Sequence, residues 1–474
     1  MEWTQEEMDR IFNPRVVAVV GAKRDTDYTW VRSVLPLKGK VYSVQIDERE
    51  IPGILELGIP NYTCLQDVPE AVDYVIVAVP RAVAPRVLAD AIEKRVGGIM
   101  FFTAGFAETG TDEGGRLQAL LTEMASKAGM KVVGPNCMGI YNPKVGLRFS
   151  ENQAHGEGGN VGFLSQSGTQ AHLLSTVGYS HGLRISKAVS FGNGIVLHAA
   201  DYLEYLGRDP ETEVIGAYIE GVPDGRRFFR VLRDVAAKKP VVVWKAGRSP
   251  EGARAARSHT ASLAASSRLW DAVLRQCGAI QVDAFDEMLD ALKALAYIRP
   301  TADRRMGLVA TTGGQSVSIT DAFASEGLLV PELTARSYQE YAQFFSIIGG
   351  SYRNPLDMTP NSGTPKLIRR CLDILGADEH VDAVAYDFNL GLATRERQEF
   401  WEGLVAELVG YKDSSSKPFF VSITAGHREE QALRLRQRLA QAGIASYPSF
   451  PRAAAAFRRL VEHAAFRREV DEAG

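Results

Sequence analysis

The sequence predicts an α/β fold made of three consecutive segments, each built on parallel strands. Short apolar runs of strand length alternate along the 474-residue chain with longer stretches of helical period. Several of these runs end in turns of small and polar residues, which open α/β sheets place at their ligand-binding edge. This alternation is typical of doubly wound architectures.

Residues 1–145 form the first segment, which has the pattern of a Rossmann-like sheet. Its predicted strands, separated by helical patterns, span 16–20, 40–45, 73–79, 98–103 and 131–133. The loop after the first strand, Gly-Ala-Lys-Arg-Asp-Thr, lacks the spaced glycines that let a pyrophosphate approach a helix start. The loop argues against a standard NAD site, so an NAD-dependent dehydrogenase would rest on the Rossmann pattern alone.

Residues 155–300 form the second segment and residues 305–470 the third, with a polar linker near 298–305. The third segment begins with a strand at 306–310, and further strands are predicted near 382–387 and 418–423. Between the first of these strands and a helix lies the turn Gly-Gly-Gln-Ser at 313–316. Anion binding and a plain tight turn are equally consistent with that tetrapeptide.

His259 is the candidate catalytic residue. It lies in the run Arg-Ser-His-Thr-Ala-Ser-Leu-Ala, beyond a predicted buried strand at 239–245. Open α/β sheets bind their ligands beyond the carboxyl ends of strands, which is where this histidine falls. A lone histidine is more often structural, so its neighbours decide the interpretation.

Glu220 is the first of these neighbours. It ends an apolar run at 213–219, and a helical segment leads from it to the strand that precedes His259. A strand–helix–strand unit is right-handed and parallel, so both strands end at the same edge. A carboxylate bonded to one imidazole N–H would leave the other ring nitrogen free to attack. A plain surface glutamate is equally consistent with Glu220 taken by itself.

The second neighbour is the tetrapeptide Ser165-Gln166-Ser167-Gly168, between an apolar run and a helical stretch. A turn into a helix N-terminus offers backbone N–H groups, hydroxyls and the positive end of the helix dipole to an anion such as phosphate. Ordinary helix capping explains the tetrapeptide alone equally well. Three strand ends with a histidine, a carboxylate and an anion cradle together suggest a phosphorylated histidine.

Composition excludes several classes of protein. The chain is 45% hydrophobic and 23% charged, with a net charge of −3, so no basic surface invites nucleic acid or a membrane. The amino terminus lacks the apolar core of a signal peptide, and no run approaches membrane-spanning length. Four cysteines without paired spacing indicate a reducing cytoplasm and no metal cage.

Several motifs resemble those of the α subunit of the NDP-forming (ADP-forming) acyl-CoA synthetases, relatives of succinyl-CoA synthetase. The matching stretches include Thr-Ala-Gly-Phe-Ala-Glu-Thr-Gly at 103–110, Gly-Pro-Asn-Cys-Met-Gly at 134–139, the turn at 165–168, Ser-His-Thr-Ala-Ser-Leu-Ala at 258–264 and Arg-Asn-Pro-Leu-Asp at 353–357. The resemblance implies a Rossmann-like CoA-binding domain followed by two flavodoxin-like domains of the succinyl-CoA synthetase type.

The resemblance also implies a mechanism and a set of site residues. A phosphoryl group would pass from ATP to His259 and then to a carboxylic acid, and the CoA thiol would attack the acyl phosphate. Glu220 and the turn at 165–168 would hold the charged states. The CoA contacts implied are Gly21, Lys23, Arg24, Lys40, Pro80, Thr103, Ala104, Gly105, Phe106, Asn136 and Cys137. Solvated surface charge remains open for each of the three cations, and Cys137 is interpreted as packing or pocket wall.

The chain lacks any stretch that resembles an ATP-grasp module, and it departs from the family in a first loop that is poorer in glycine. The resemblance therefore implies a separate ATP-grasp β subunit that binds ATP or ADP and Mg²⁺, in an α2β2 assembly. The alternative is a CoA-binding or acyl-CoA-binding protein that has lost ligase turnover. The identity of the carboxylic acid stays open.

Overall fold

The structure is a computed structural model that describes residues 3–252, 254, 267–392 and 398–473. The chain divides into two compact units. The first unit comprises Met1–Tyr179 with Arg184–Phe285, and the second comprises Ser180–Leu183 with Asp286–Gly474. None of the helices in the described ranges is long and apolar enough to cross a membrane.

The first sheet consists of six parallel strands in the order β3-β2-β1-β4-β5-β6. The strands are β1 Val16–Val20, β2 Lys40–Val44, β3 Asn61–Tyr62, β4 Tyr74–Val77, β5 Gly98–Phe101 and β6 Lys131–Val133. Helices α1 Gln5–Phe12, α2 Thr29–Val34, α3 Ile51–Glu56, α4 Ala84–Lys94 and α5 Asp112–Ala128 connect or flank them. Strand order reverses between β1 and β4, the position at which doubly wound sheets open a ligand crevice.

Strand sequence explains why this sheet lies inside the protein. Every residue of the β1 run Val-Val-Ala-Val-Val is buried, as expected for a parallel strand covered by helices on both faces. The helix ends carry matching signals. Thr4 and Glu7 form a capping box at the start of α1, and Thr111 accepts a hydrogen bond from the Gly114 N–H at the start of α5.

The second sheet, also in the first unit, has the order β12-β11-β10-β8-β9-β7. Its strands are β7 Gly139–Tyr141, β8 Val161–Ser165, β9 Ile185–Ser190, β10 Val214–Ile219, β11 Val241–Lys245 and β12 Ile280–Val282. Helices α6 Gly168–Ser180, α7 Ala199–Arg208, α8 Gly225–Ala236 and α9 Ser267–Cys277 accompany them. All pairings are parallel except that between β7 and β9.

Strand β7 is a finding that the sequence analysis did not anticipate. Its residues fall within the predicted first segment, yet they pair antiparallel with β9, in the register Gly139 to Ser190 and Tyr141 to Ala188. A turn that ends at Met138 carries the chain directly from the edge of the first sheet to the border of the second. The segment boundaries proposed from the sequence stay a prediction.

The third sheet lies in the second unit, with five parallel strands in the order β14-β13-β15-β16-β17. These strands are β13 Met306–Ala310, β14 Leu356–Asp357, β15 Ala383–Asn389, β16 Phe419–Thr424 and β17 Ala445–Tyr447. Its helices are α10 Phe285–Tyr297, α11 Gly313–Ser325, α12 Ala335–Ala342, α13 Pro365–Ala377, α14 Gln398–Ser414, α15 Glu429–Gln441 and α16 Phe450–Ala473. The predicted α/β fold class is thus confirmed, and every strand pairing in the three sheets is parallel except that of β7 with β9.

Candidate functional site

The turn at 165–168 and Glu220 meet at one edge of the second sheet. They follow the neighbouring parallel strands β8 and β10, in which Ser165 lies opposite Tyr218. Gln166 joins the two. Its side-chain oxygen accepts hydrogen bonds from the backbone N–H of Glu220 at 2.6 Å and of Gly221 at 2.8 Å. The structure therefore brings together two of the three elements that the sequence analysis placed at this edge.

Internal hydrogen bonds hold the turn itself. The Ser165 hydroxyl donates to the Ser167 carbonyl at 2.7 Å and accepts from the Ser167 N–H at 3.1 Å. The Ser167 hydroxyl accepts from the Gln170 N–H at 3.3 Å, which caps the start of α6. Ser165 is fully buried, so its hydroxyl shapes the turn, and the hydrogen-bonding groups nearer the solvent belong to the residues that follow it.

Close packing fixes the glycine that ends the turn. A Cβ atom on Gly168 would lie 2.9 Å from the Cγ of Met138, well inside van der Waals contact. The Met138 N–H in turn donates to the Ser190 hydroxyl at 3.1 Å. The turn that leads into β7 therefore packs directly against the turn at 165–168, and both lie within the first unit.

Lys245 supports Glu220 from the adjacent strand. Its ammonium donates to the Glu220 carbonyl at 2.9 Å and also contacts the Ala246 carbonyl. The same ammonium lies 5.5 Å from the centre of the Trp270 ring. Burial lowers the pKa of Lys245, and the negative charge of Glu220 opposes that effect. Sequence reasoning missed this residue, whose only signal was a lysine that ends an otherwise apolar strand.

His259 lies in the segment 255–266, which is outside the described residues. The predicted contact between His259 and Glu220 stays a prediction. The carboxylate itself belongs to a residue that is only 5% exposed, so it is held in the protein and does not extend freely into solvent.

Most of the predicted CoA contacts lie at one edge of the first sheet, each beyond the carboxyl end of a strand. Gly21, Lys23 and Arg24 follow β1, Pro80 follows β4, Thr103 to Phe106 follow β5, and Asn136 and Cys137 follow β6. Gly21 has a φ of +87°, and a Cβ there would lie 2.6 Å from Val79 Cγ1. Only glycine fits that position without displacing its neighbours.

Lys40 does not join these residues. It begins β2 and lies opposite Val16, the first residue of β1, whereas Gly21 follows the last. A five-residue strand is roughly 13 Å long at about 3.3 Å per residue, so Lys40 occupies the opposite edge of the sheet. There its ammonium forms an ion pair with Glu70. The grouping of Lys40 with Lys23 and Arg24 is therefore corrected, because a residue that precedes a parallel strand cannot share the edge of those that follow one.

A network that the sequence analysis missed organises the loop after β5. One carboxylate oxygen of Glu108 accepts from the N–H groups of Gly105 at 2.6 Å and Phe106 at 3.1 Å. The other accepts from the Asn193 amide at 2.6 Å. Burial acts to raise the pKa of Glu108, but these hydrogen bonds together hold it below its usual range. Thr103 completes the loop by donating to the Val79 carbonyl at 2.7 Å.

Cys137 is part of the packed interior. The residue is 4% exposed, its Sγ lies 3.7 Å from the Phe101 carbonyl oxygen, and burial raises the pKa of its thiol to about 12. A thiol in this state is a poor nucleophile at neutral pH. Its burial accords with either interpretation given above, packing or pocket wall, and its contact with CoA stays a prediction.

A cavity of about 130 Å³ opens where the strand order of the first sheet reverses. Gly21, Gln45 and Cys64 are among the residues that line it. The Gln45 amide donates to the Ala22 carbonyl at 2.7 Å, and its oxygen accepts from the N–H of Ile46 at 2.9 Å. Gln45 thereby ties together the loops that follow β1 and β2. Neither Gln45 nor Cys64 carried a recognisable sequence signal.

The third sheet carries a buried carboxylate beside the turn at 313–316. The Thr311 hydroxyl donates to Oδ2 of Asp387 at 2.8 Å, and burial raises the pKa of Asp387 to about 6. Among the residues that the structure describes, no group of three or more histidine, cysteine, aspartate or glutamate side chains is placed to hold a metal ion.

Two family models match the chain: a CoA binding domain at residues 15–143 and a succinyl-CoA ligase like flavodoxin domain at 158–295. The α subunit of ADP-forming acetate–CoA ligase II from Pyrococcus furiosus is 34% identical over 462 residues, which cover 96% of this chain and 98% of that subunit. The ADP-forming acetate–CoA ligase I of Archaeoglobus fulgidus is 37% identical over 382 residues. That match covers 80% of this chain but 54% of the relative, so the chain spans about half of its length.

Among solved structures, the dinucleotide-forming acetyl-coenzyme A synthetase 1 of Ca. Korarchaeum cryptofilum, in complex with phosphate and ADP, matches with a TM-score of 0.85. The two are 30% identical in sequence, and the match covers 98% of each chain. The similarity in sequence and the similarity in structure each extend over nearly the whole chain, which includes both sheets of the first unit. The chain therefore belongs to the family of ADP-forming acyl-CoA synthetase α subunits, within the superfamily of succinyl-CoA synthetase.

Proposed function

We propose that this chain is the α subunit of an ADP-forming acid–CoA ligase, which makes acyl-CoA from a carboxylic acid, CoA and ATP. The observation that carries the proposal is the direct bond between the turn at 165–168 and the backbone of Glu220, through Gln166. This contact joins a turn at a helix N-terminus to the strand end that carries Glu220, in a chain whose relatives are named as such ligases.

The proposed reaction has three transfers. An imidazole nitrogen of His259 attacks the γ-phosphorus of ATP, and ADP leaves. A carboxylate oxygen of the acid then takes the phosphoryl group, which returns the histidine to its neutral form and produces an acyl phosphate. Finally, the CoA sulfur attacks the acyl carbon and phosphate leaves. A covalent intermediate on nitrogen separates the nucleotide step from the thioester step, so ATP and CoA need not share one site.

The residues at the edge of the second sheet would stabilise the charged states of these transfers. The turn at 165–168 presents the start of α6, whose N–H groups and dipole favour a phosphoryl group. Glu220 would orient the His259 ring and stabilise its positive form. Gln166 and Lys245 hold the backbone of Glu220 from the strands on either side. Their bonds limit its movement during the reaction.

CoA would bind along the edge of the first sheet. Gly21 lets the ligand approach the backbone closely, and Lys23 and Arg24 are exposed cations at the same strand end. Pro80, the loop from Thr103 to Phe106, and Asn136 would line the path of the CoA arm toward the second sheet. ATP and Mg²⁺ would be held by a separate ATP-grasp subunit in an α2β2 assembly. A relative that is named as a subunit supports the existence of such a partner.

The test is phosphorylation of the chain in the presence of the ATP-grasp protein that copurifies with it from the native host. With γ-labelled ATP, His259 should acquire an acid-labile, base-stable phosphate. His259→Ala should abolish both the label and acyl-CoA synthesis. Glu220→Gln should slow labelling by about 10²–10³-fold, the usual effect of removing one electrostatic stabiliser.

His155→Ala is the matched control, because His155 is an exposed loop histidine in the same unit. This variant should be labelled like the unmodified chain. Near-normal acyl-CoA synthesis by His259→Ala would refute the proposal. CoA binding without any phosphorylation of the unmodified chain would point to a CoA-binding protein that has lost turnover.

A further inference from the structure

An open apolar groove of about 970 Å³ lies between helices α8 and α9 of the first unit. Its floor consists of Phe228 and Trp270, which are both buried and whose ring centroids lie 5.6 Å apart. Its walls include Val222, Phe229, Leu269 and Val273. We call this surface the α8–α9 groove. Leu269 is 59% exposed, a large apolar side chain left in water beside other apolar groups.

The α8–α9 groove adjoins the candidate site through a chain of direct contacts. Its floor residue Trp270 lies 5.5 Å from the Lys245 ammonium, and that ammonium donates to the Glu220 carbonyl at 2.9 Å. Val222, on the groove wall, follows Glu220 by two positions in the sequence. Whatever covers the groove therefore lies near the strand end that carries Glu220.

Two arginines give the groove a positive rim. Arg226 and Arg230 are exposed on successive turns of α8, and neither forms an ion pair within the part of the chain that the structure describes. By contrast, Arg227 on the same helix pairs with Asp201 at 2.8 Å. Asp224 also borders the groove, but its carboxylate accepts from the Arg227 N–H and caps the helix. The free cationic groups of the rim thus face outward and favour an acidic partner.

Size and exposure argue for a macromolecule over a small substrate. Small-molecule pockets enclose most of their ligand, whereas Leu269 remains more than half exposed at the groove wall. A short carboxylic acid would leave most of the volume empty. An apolar stripe formed by Leu269 and Val273, four residues apart on α9, suits the anchors of an amphipathic segment.

We infer that the α8–α9 groove docks the nucleotide-binding partner subunit, through an apolar segment of that subunit flanked by acidic side chains. The inference rests on the proposed function, which requires a second protein to deliver a phosphoryl group beside Glu220. Docking at this groove would hold that protein near Glu220 and leave the edge of the first sheet open to CoA.

The experiment measures the affinity of the chain for the copurifying ATP-grasp protein by calorimetry at two salt concentrations. Leu269→Asp and the pair Arg226→Glu with Arg230→Glu should each weaken binding at least 10-fold, since they place repulsive groups in the contact. The matched controls are Leu120→Asp, an exposed leucine on α5, and Arg275→Glu, an exposed arginine on α9 outside the groove. Both controls should bind like the unmodified chain.

Two further measurements distinguish a failure of the docking inference from a failure of the proposed function. CoA binding and the thermal midpoint of the groove variants should match those of the unmodified chain, which excludes misfolding. Phosphorylation should recover at high concentrations of the partner, because the substituted residues are not among those proposed to bind or transfer the phosphoryl group. If the unmodified chain is phosphorylated normally and the groove variants bind the partner normally, the docking inference is overturned and the proposed function stands. If the variants instead change self-association of the chain alone, the groove is a contact between copies, which also overturns it.

Discussion

Gln166 shows how one side chain can organise a site without touching the reacting atoms. Its single oxygen accepts from two successive backbone N–H groups, those of Glu220 and Gly221. Both groups lie in buried surroundings, where a donor without an acceptor costs about 1–3 kcal/mol. The glutamine therefore fixes the strand end from which Glu220 projects.

We predict that Gln166→Leu lowers the rate of His259 phosphorylation at saturating ATP on the order of 10-fold, because Glu220 is no longer held in place. The Michaelis constant for CoA should not change, since CoA would bind at the first sheet. Gln170→Leu is the control one turn along α6, because the Gln170 side-chain oxygen is buried without a hydrogen bond in the described structure. Stopped-flow labelling would measure the rates, and a raised constant for CoA with an unchanged labelling rate would contradict the assignment.

Asp387 makes a pH-dependent contribution to stability. Burial raises the pKa of Asp387 to about 6, whereas an unfolded aspartate titrates near pH 4. The folded state thus holds the proton more tightly. The protonated carboxyl group therefore contributes to the free energy of unfolding, and this contribution is fully present below about pH 4. It is lost as the pH rises through about 6, and the loss at neutral pH is about 3 kcal/mol.

We therefore predict that Asp387→Asn stabilises the second unit at pH 8 by up to about 3 kcal/mol and by about half as much at pH 5, since the amide cannot ionise. The Thr311 hydroxyl can still donate to the asparagine oxygen, so the native bond is kept. Urea midpoints at the two pH values would test this, with the exposed Asp321→Asn as control. A gain that is equal at both pH values would be inconsistent with titration of Asp387.

At the scale of elements, the crevice where the first sheet reverses its strand order is formed by loops that no motif identified. Cys64, in the segment after β3, is partly exposed and lines the cavity beside Gly21. The other three cysteines are buried, and burial raises the pKa of Cys137 and Cys371 to about 12 and that of Cys277 to about 11. Cys64 is thus the thiol that a reagent should reach first.

We predict that N-ethylmaleimide modifies Cys64 much faster than the buried cysteines, and that acetyl-CoA slows this reaction by occupying the crevice. Acetyl-CoA is the suitable ligand because it has no free thiol to consume the reagent. Mass spectrometry of the modified peptide would follow the rate, and Cys64→Ser should lack the fast phase. Unchanged modification at saturating acetyl-CoA would place the ligand elsewhere.

The sequence predicted the bounds of a strand best where both faces of that strand are buried. The predicted strands at 16–20 and 131–133 agree with β1 and β6 to the residue. β1 is a continuous apolar run, as expected of a parallel strand that is buried on both faces, whereas β6 combines one lysine with two valines. The two-residue strands β3 and β14 are too short to leave such a pattern. The same limit explains Lys40: its charge was visible in the sequence, but the side of the sheet on which it falls depends on strand direction.

The site was predictable to a similar degree. The turn at 165–168 and Glu220 lie together because each follows a strand, and the two strands, β8 and β10, are parallel neighbours. Gln166 was predicted as part of the turn, but its bonds to the backbone of Glu220 and Gly221 were not, and Lys245 was missed because a lysine that ends a strand has many ordinary explanations. Gln166 and Lys245 matter because their side chains bond to backbone groups of other strands, and such bonds cannot be recognised from the sequence.

At the scale of the whole molecule, the proposed division of labour leads to a simple expectation. The purified chain alone should bind CoA but should make no acyl-CoA from ATP and any acid, since the nucleotide site would lie on the partner. Adding the copurifying ATP-grasp protein should restore synthesis. Chromatographic detection of the thioester would measure both reactions, with a heat-inactivated partner as control. ATP-dependent thioester formation by the single chain would contradict the two-subunit proposal.

Strand β7 has a consequence for how such proteins can be rearranged during evolution. The two family models meet in the interval between residues 143 and 158, which makes that interval look like a natural joint between exchangeable modules. Yet strand β7, Gly139–Tyr141, precedes this joint in the sequence and forms the edge strand of the second sheet, whose other strands all follow the joint. A gene cut there would leave β9 with an unpaired edge, a known template for aggregation. We therefore expect recombination to move both modules together, so that the unit of inheritance is larger than either recognised domain.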